Sequence, residues 1–170
     1  MKDKFEWLAG YNAWANKMIY AAASELSDEE YNRDLGAFFG SVHHTLNHIL
    51  VGDQLWLRRI EGTGSAPESL DALLHEDLPS LGVARKIEDA RIRRVILGLT
   101  EEDCQQDLTY QSVAGDTFTM PMWQVLTHLF NHQTHHRGQA HAMLTMLGQP
   151  SLEMDFIYYL RLMQPAQAAQ

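Results

Sequence analysis

The sequence predicts an all-α protein, a four-helix bundle with one long crossover connection and a short C-terminal helix. Four long segments carry apolar residues at helical spacing, and a stretch rich in Gly, Ser and Pro, from Gly62 to Ser80, separates the second segment from the third. The sequence contains no internal repeat. We therefore interpret residues 1–170 as one domain, with a tail from about residue 164 to 170 that we expect to fray.

The long helices are bounded by residues typical of helix ends, such as Ser41 as an N-cap and Gly148 after a last turn. They are predicted at about 3–26, 41–62, 81–99 and 121–148. Shorter helical segments are expected at 27–30, where a capping box stands, at 70–75 and at 152–162. The β-branched and aromatic residues between Leu108 and Met120 predict a short hairpin or extended loop.

Composition and charge exclude several classes of function. Hydrophobic residues make up 45 % of the chain and charged residues 21 %, as in ordinary soluble domains. The net charge of −9 argues against binding to nucleic acid, which needs a basic patch. No apolar run approaches the about 20 residues of a membrane span, and the N-terminus lacks a signal-peptide core. We therefore expect a cytoplasmic protein that does not associate with membranes.

Cys104 is the sole cysteine, so the chain cannot form an internal disulfide. It lies among acidic residues, which should raise the pKa of its thiol and make it a poor nucleophile. We interpret Cys104 as a structural residue.

The last long helix carries four of the nine histidines between residues 128 and 136. His132 and His136 are four residues apart and so lie on one face of the helix, the usual way in which a helix offers two ligands to Zn²⁺. His136 falls within the arc of apolar residues and His132 at its edge, so we expect the pair to face the core. The alternative is a pair of core histidines that hydrogen-bond to their neighbours.

The second long helix carries His43, His44 and His48, and its periodicity alone does not show which of them faces the last helix. Asp53 falls within the apolar stripe of the same helix, where a carboxylate needs a partner. Arg137 or the free N–H of a ligating histidine would serve, and the alternative is an aspartate at the helix edge that reaches solvent.

Three segments of the chain resemble the DinB/YfiT-like family of metalloenzymes, which is distinct from the DNA polymerase of the same name. They are 11–16 (YNAWAN), 39–57 (FGSVHHTLNHILVGDQLWL) and 131–139 (NHQTHHRGQ). The last segment is the most specific, and the resemblance extends over about residues 2–159. It implies a four-helix bundle, in agreement with the periodicity.

The resemblance also implies a metal held by three histidines, which correspond to His48, His132 and His136, and so it selects His48 over His44. His44, His128 and His135 remain candidates for lining the site, and Asp53 is a candidate outer partner that orients a ligand. Three imidazoles leave a coordination position open for water or a thiol. Imidazole suits Zn²⁺, our first choice, and Ni²⁺, our second.

Characterised members of the family include transferases and isomerases that use low-molecular-weight thiols such as bacillithiol, mycothiol or glutathione. The resemblance therefore implies a small-molecule substrate and a metal that activates a thiol. A metal-dependent hydrolase acting through bound hydroxide and a non-catalytic metal-binding stress protein are the alternatives, although Gln133 replaces the general-base glutamate of metalloproteases. Family members commonly form homodimers, and the exposed aromatic surface suggested by Trp7, Trp14, Tyr158 and Tyr159 agrees with a dimer.

Overall fold

The computed structural model of the chain describes residues 1–64, 67 and 69–164. Within these residues the helices are α1 (Lys2–Ala23), α2 (Asp28–Asn32), α3 (Val42–Glu61), α4 (Leu78–Gly98), α5 (Met122–Met146) and α6 (Phe156–Met163). The strands are β1 (Asp107–Gln111) and β2 (Thr117–Pro121), preceded by a 3-10 turn at Asp103–Gln105. The tail that we expected to fray lies, from residue 165 onward, outside the described residues.

The four long helices form a bundle, as the sequence predicts. Helix α1 packs against α4 and α5, and α3 packs against the same two helices, so α1 and α3 lie diagonally across the bundle. The predicted helix bounds agree with the observed ones to within four residues. None of the helices in the described part of the chain is long and apolar enough to cross a membrane.

The helix ends show the capping chemistry that the sequence indicates. Ser41 caps α3, where its side chain accepts a hydrogen bond from the backbone N–H of His44. Gly62 ends the same helix in the left-handed conformation, with φ of 69°. Ser27 and Glu30 form the predicted capping box of α2. These contacts fix where α3 begins and ends, and hence which residues face α5.

The connection between α3 and α4 is held against α3 by side chains of that helix. The weak helical turn predicted at 70–75 is wrong, because residues 72–75 have no regular structure. The buried Asn47 explains the difference: its Oδ1 accepts from the backbone N–H groups of Leu74 and His75, both at 3.0 Å, and its Nδ2 donates to the carbonyl of His75 at 3.1 Å. These hydrogen bonds replace those that a helical turn would supply.

The predicted hairpin between α4 and α5 is confirmed. Strands β1 and β2 pair in antiparallel register, with Leu108 opposite Met120 and Tyr110 opposite Phe118. The ring of Tyr110 packs edge-on against Trp56 of α3, with 5.0 Å between centroids. The hairpin therefore lies against the C-terminal half of α3.

The core of the bundle is divided by a polar layer at mid-height. One apolar cluster is centred on Ile19, Leu46, Leu50, Leu81 and Leu144. The other is centred on Phe5, Leu57, Ile92, Leu126 and Leu129. Between them lie the buried side chains of Asn12, Asn16, Asp53, Arg85, Asp89, Gln133 and Arg137. Each long helix contributes to this layer, which stands at the level of the histidines on α5.

Candidate metal centre

Three histidines converge in the groove between α3 and α5. The Nε2 atom of His48, on α3, lies 3.1 Å from Nε2 of His132 and 3.3 Å from Nε2 of His136, both on α5. The ligand atoms of the three residues all lie within 4.8 Å of one another. The i, i+4 spacing on α5 and the packing of α3 against α5 together create this group. Among the described residues, no further His, Cys, Asp or Glu belongs to it.

Hydrogen bonds orient two of these rings. Nδ1 of His48 donates to the carbonyl of Leu70, at 2.8 Å, in the connection between α3 and α4. Nδ1 of His136 donates to Oε1 of Gln139, at 2.7 Å, one turn further along α5. Nε2 of Gln139 in turn donates to Nε2 of His135, at 3.3 Å, which orients the amide. Since Nδ1 carries the proton in His48 and His136, Nε2 of each neutral ring carries a lone pair.

The surroundings keep all three imidazoles neutral. Burial, together with the neighbouring His136 and His48, lowers the pKa of His132 to about 3. Burial also lowers the pKa of His48, although the hydrogen bond to Leu70 opposes the shift. The pKa of His136 is lowered by burial as well, against the effect of Gln139. Neutral imidazole is the form that binds metal ions.

The geometry fits a divalent cation better than a set of histidines that hydrogen-bond to one another. The lone pairs of His48 and His136 face each other at 3.3 Å with no proton between them. His132 could donate from Nε2 to His48, but this satisfies only one of the two contacts. Two nitrogens bound to Zn²⁺ at 2.0–2.1 Å in tetrahedral geometry stand about 3.3 Å apart. The observed separations match that value, so the residues present fit a metal ion.

The close approach of α3 to His132 depends on Gly52. A Cβ atom at position 52 would stand 2.6 Å from Cε1 and 3.1 Å from Nδ1 of His132. Gly52 lies one helical turn after His48 on α3. The absence of a side chain there lets the ring of His132 lie against the backbone of α3 and point its Nε2 towards His48.

Aromatic rings border the three-histidine group. The ring of Phe39 stacks on His48, with centroids 3.9 Å apart, and meets His136 edge-on at 5.5 Å. On the other side His128 lies 5.8 Å from His132, between that ring and Trp56. Phe39 therefore forms an apolar wall, whereas His128 extends the site towards the hairpin.

The other histidines named from the sequence have different positions. His128 and His135 are exposed and border the group, the latter through a ring contact with His136 at 4.7 Å. His44 is exposed, and its Nδ1 lies 2.9 Å from the hydroxyl of Ser41 at the start of α3. His44 therefore belongs to the helix cap and not to the convergent group.

The orientation predicted for the pair on α5 needs correction. His132 and His136 are half-buried and face α3 at the rim of the core. The positions on α5 that point to the bundle centre are Gln133 and Arg137, both buried. Arg137 donates from Nη1 to Oδ1 of Asn12 at 2.7 Å and to Oδ1 of Asn16 at 3.1 Å. These partners on α1 make polar residues stable where periodicity alone favours apolar ones.

The partner expected for Asp53 is also wrong. Asp53 is buried and pairs with Nη1 of Arg85 on α4, at 2.5 Å, instead of Arg137 or a ligating histidine. Its Oδ2 also accepts a hydrogen bond from Nε2 of Gln133. Burial raises the pKa of Asp53 to about 6, even though Arg85 and Gln133 oppose the shift. Asp53 therefore makes no direct contact with the three histidines. Its link to them is the hydrogen bond from Gln133, the residue that follows His132.

Cys104 lies in the apolar cluster at the hairpin end of the bundle and is buried. Burial and the nearby Glu101 raise the pKa of its thiol, as the acidic neighbourhood suggests. A cavity of about 850 Å³ lies between α1 and α4, and none of the three histidines lines it. The chemistry of the groove between α3 and α5 is therefore separate from both features.

Two orienting groups of the site were not identified from the sequence. Gln139 stands three residues after His136, a spacing that places its side chain beside that ring on the helix. The hydrogen bond between the two side chains could therefore have been predicted from the sequence. The carbonyl of Leu70 belongs to the connection between α3 and α4, and no local pattern marks it.

The fold and the site together define a class of protein, a four-helix bundle with a three-histidine group that can hold a divalent metal ion. The chain belongs to the DinB family, whose model matches residues 1–167. It is similar to Protein DinB of Bacillus subtilis (strain 168), at 32 % identity over 168 residues, covering 94 % of this chain and 95 % of the relative. It is also similar in fold to the crystal structure of a DinB-like protein from Bacillus cereus ATCC 10987. That match has a TM-score of 0.65 and 17 % identity, and it covers 84 % of this chain and 89 % of the other.

Proposed function

We propose that the chain is a divalent-metal-dependent transferase that uses a low-molecular-weight thiol, with His48, His132 and His136 as the metal ligands. One observation carries the proposal. The Nε2 lone pairs of His48 and His136 converge with Nε2 of His132 on one point. Hydrogen bonds from Nδ1 of the first two rings, to Leu70 and Gln139, fix those lone pairs. Zn²⁺ is our first choice of metal and Ni²⁺ our second, because imidazole suits both ions.

When bound to three imidazoles, such an ion supplies a Lewis acid with an open position, which favours the thiolate form of a thiol at neutral pH. The protein holds the ligand rings in place through Leu70 and Gln139, and Phe39 shields one side from water. His128 borders the group and can accept the thiol proton, whereas Nε2 of His135 already accepts a hydrogen bond from Gln139. The thiol sulfur then forms a bond to an electrophilic carbon, whose leaving group departs with the bonding electrons.

The site offers less support for a hydrolase. Gln133, at the position of the metalloprotease glutamate, is buried in the polar layer of the core and donates to Asp53. Within the described residues no carboxylate belongs to the histidine group, so a general base of that type is missing. The use of a thiol rests on the resemblance to characterised members of the family.

The experiment measures thiol consumption with a generic electrophile, 1-chloro-2,4-dinitrobenzene, in metal-free and zinc-reconstituted protein. The thiols are glutathione, cysteine, coenzyme A, mycothiol and bacillithiol. Zinc should raise the rate at least tenfold with one of them, and His48→Ala should abolish that gain. His44→Ala is the matched control, since it changes an exposed histidine of the same helix outside the group, and it should behave as wild type.

Cys104→Ser should also leave the rate unchanged, because the reactive sulfur comes from the cosubstrate. Equal rates in metal-free and zinc-loaded protein with every thiol would reject the transferase. A non-catalytic metal-binding protein would then be the better interpretation if zinc still binds.

We also propose that the protein is a cytoplasmic homodimer. Trp14 and Tyr159 pack against each other within the chain, with 5.8 Å between centroids, so they offer less aromatic surface than their sequence positions suggest. Trp7 and Tyr158 are exposed and support the dimer.

A further inference from the structure

A second cavity lies further along α3 from the histidine group, between the C-terminal half of that helix and the hairpin. It has a volume of about 630 Å³. Its polar lining includes the hydroxyl or amide side chains of Thr109, Tyr110, Gln111, Ser112 and Thr117. Its charged lining within the described residues consists of Arg58 and Arg59, with no carboxylate. Such a cavity presents hydrogen-bond donors and positive charge, although the chain has a net charge of −9.

The two arginines of this cavity differ from most other arginines of the protein. Arg33, Arg85, Arg91 and Arg94 each form an ion pair with a carboxylate. No carboxylate of the described residues pairs with Arg58 or Arg59. Arg58 donates from Nε to the carbonyl of Gly64 at 3.0 Å, and its remaining N–H groups, like those of Arg59, are left for a ligand.

The guanidinium of Arg59 is held in place by aromatic rings. Its Cζ lies 4.4 Å from the ring centroid of Trp56 and 4.8 Å from that of Tyr110. Both contacts are within the range of cation–π interactions. A planar guanidinium fixed in this way loses little entropy when it binds a carboxylate or phosphate through two hydrogen bonds.

A continuous row of rings connects this cavity to the histidine group. Trp56 contacts Tyr110 at 5.0 Å and His128 at 4.9 Å, and His128 contacts His132 at 5.8 Å. Leu55, which also lines the cavity, follows His48 by seven residues on α3, or about 10 Å along the helix. Arg59 follows His48 by eleven residues, or about 16 Å.

We propose that this cavity binds the anionic end, a carboxylate or phosphate, of an elongated small molecule whose other end reaches the three histidines. The separation of about 10–16 Å corresponds to an extended chain of three to five peptide units. The inference rests on the proposed function and names its substrate class: the thiol cosubstrate is an elongated anion, held at one end by Arg59 and presented at the other end to the metal ligands.

The first test uses NMR titration of the full-length protein, both metal-free and zinc-loaded, at low salt. The probes are succinate, inorganic phosphate and the uncharged succinamide. Succinate or phosphate should shift the indole signal of Trp56 and the amide signals of residues 109–117, with half-saturation at millimolar concentration, whereas succinamide should not. The stronger of the two anions identifies carboxylate or phosphate as the preferred group. Absence of these shifts with both anions, or equal shifts with succinamide, would overturn the proposal.

Variants separate a binding role of Arg59 from a structural role in clamping the hairpin. Arg59→Gln should weaken anion binding at least tenfold. Arg58→Gln changes an exposed residue, leaves the ring contacts of Arg59 intact and should weaken binding at least threefold. Arg161→Gln is the matched control, since Arg161 also lies over an aromatic ring and pairs with no carboxylate of the described residues, and it should bind as wild type. Unchanged binding in both cavity variants would contradict the proposal.

The second test addresses the length of the ligand in zinc-loaded protein. The probe is 11-mercaptoundecanoate, which is long enough to join the two sites, and it is compared with its methyl ester. The acid should bind at least tenfold more tightly than the ester, and Arg59→Gln should remove that advantage. Equal affinities of acid and ester in the wild type would overturn the inference. The zinc content should be the same in Arg59→Gln and wild type, so a failure of the metal proposal is detected separately.

Discussion

Replacement of Gly52 by alanine tests whether the position of His132 matters for the metal rather than for the fold. The new Cβ would stand 2.6 Å from Cε1 of His132, whereas ordinary contacts between carbon atoms are about 3.5–4.0 Å. The ring must therefore retreat by about 1 Å. Metal–ligand distances tolerate about 0.2 Å. We expect Gly52→Ala to lower zinc affinity at least tenfold.

The metal-free protein should lose no more than about 2 kcal/mol of stability and should keep its fold. Alanine is favoured over glycine within a helix by about 1 kcal/mol, and this gain offsets part of the cost of about 1–3 kcal/mol for overpacking. Gly138→Ala is the matched control, because Gly138 lies on α5 beside the site and its Cβ would meet nothing within 4 Å. That variant should keep zinc affinity and be more stable by up to about 1 kcal/mol.

The assays are competition of each variant with a chromophoric zinc chelator and urea unfolding of the metal-free forms. Wild-type zinc affinity in Gly52→Ala, with the fold intact, would refute the reasoning, because the clash would then not involve a ligand. Equal losses of zinc affinity in Gly52→Ala and Gly138→Ala would refute it as well.

Three further predictions concern pH, the α3–α4 connection and the polar layer. The pKa of His132 is about 3 in the folded, metal-free protein and 6.5 ordinarily, so the unfolded chain takes up the proton first as the pH falls. The unfolding free energy should therefore fall below about pH 6.5, by about 2 kcal/mol between pH 8 and pH 5. In urea unfolding at a series of pH values, the free energy of His132→Asn should depend less on pH than that of wild type. Asn47→Ala removes three hydrogen bonds to the backbone of the connection and should cost about 3 kcal/mol, with faster proteolysis within residues 62–77 than in wild type. Asp53→Asn should cost about 3 kcal/mol because Arg85 loses one of its two buried counter-charges and keeps only Asp89. Zinc affinity should change less than tenfold, and a larger loss of affinity would mean that Asp53 acts on one of the three histidines.

Local patterns predicted the helices and the two candidate ligands on α5, because periodicity, caps and the i, i+4 spacing are properties of neighbouring residues. Periodicity could not choose between His44 and His48, since the site lies at the rim of the groove between α3 and α5 and not within an apolar stripe. The choice of His48 came from the family resemblance, and the structure places that residue, and not His44, in the convergent group.

The polar layer could be predicted only in part. Asp53 was noticed because it interrupts an apolar face, but no local pattern marked Asn12 and Asn16 of α1 as buried. Their burial depends on Arg137, more than a hundred residues later in the chain. Such long-range pairs leave no local pattern. The same reason explains the connection between α3 and α4, whose conformation is set by hydrogen bonds to Asn47 and not by its own residues.

The most direct measurement of the central claim is an anomalous difference map, collected at the zinc absorption edge, from crystals of the zinc-loaded protein. We predict one strong peak per chain, at about 2.0–2.1 Å from Nε2 of His48, His132 and His136. A map without a peak at this point, or with zinc bound only elsewhere, would contradict the claim that these three histidines hold a metal.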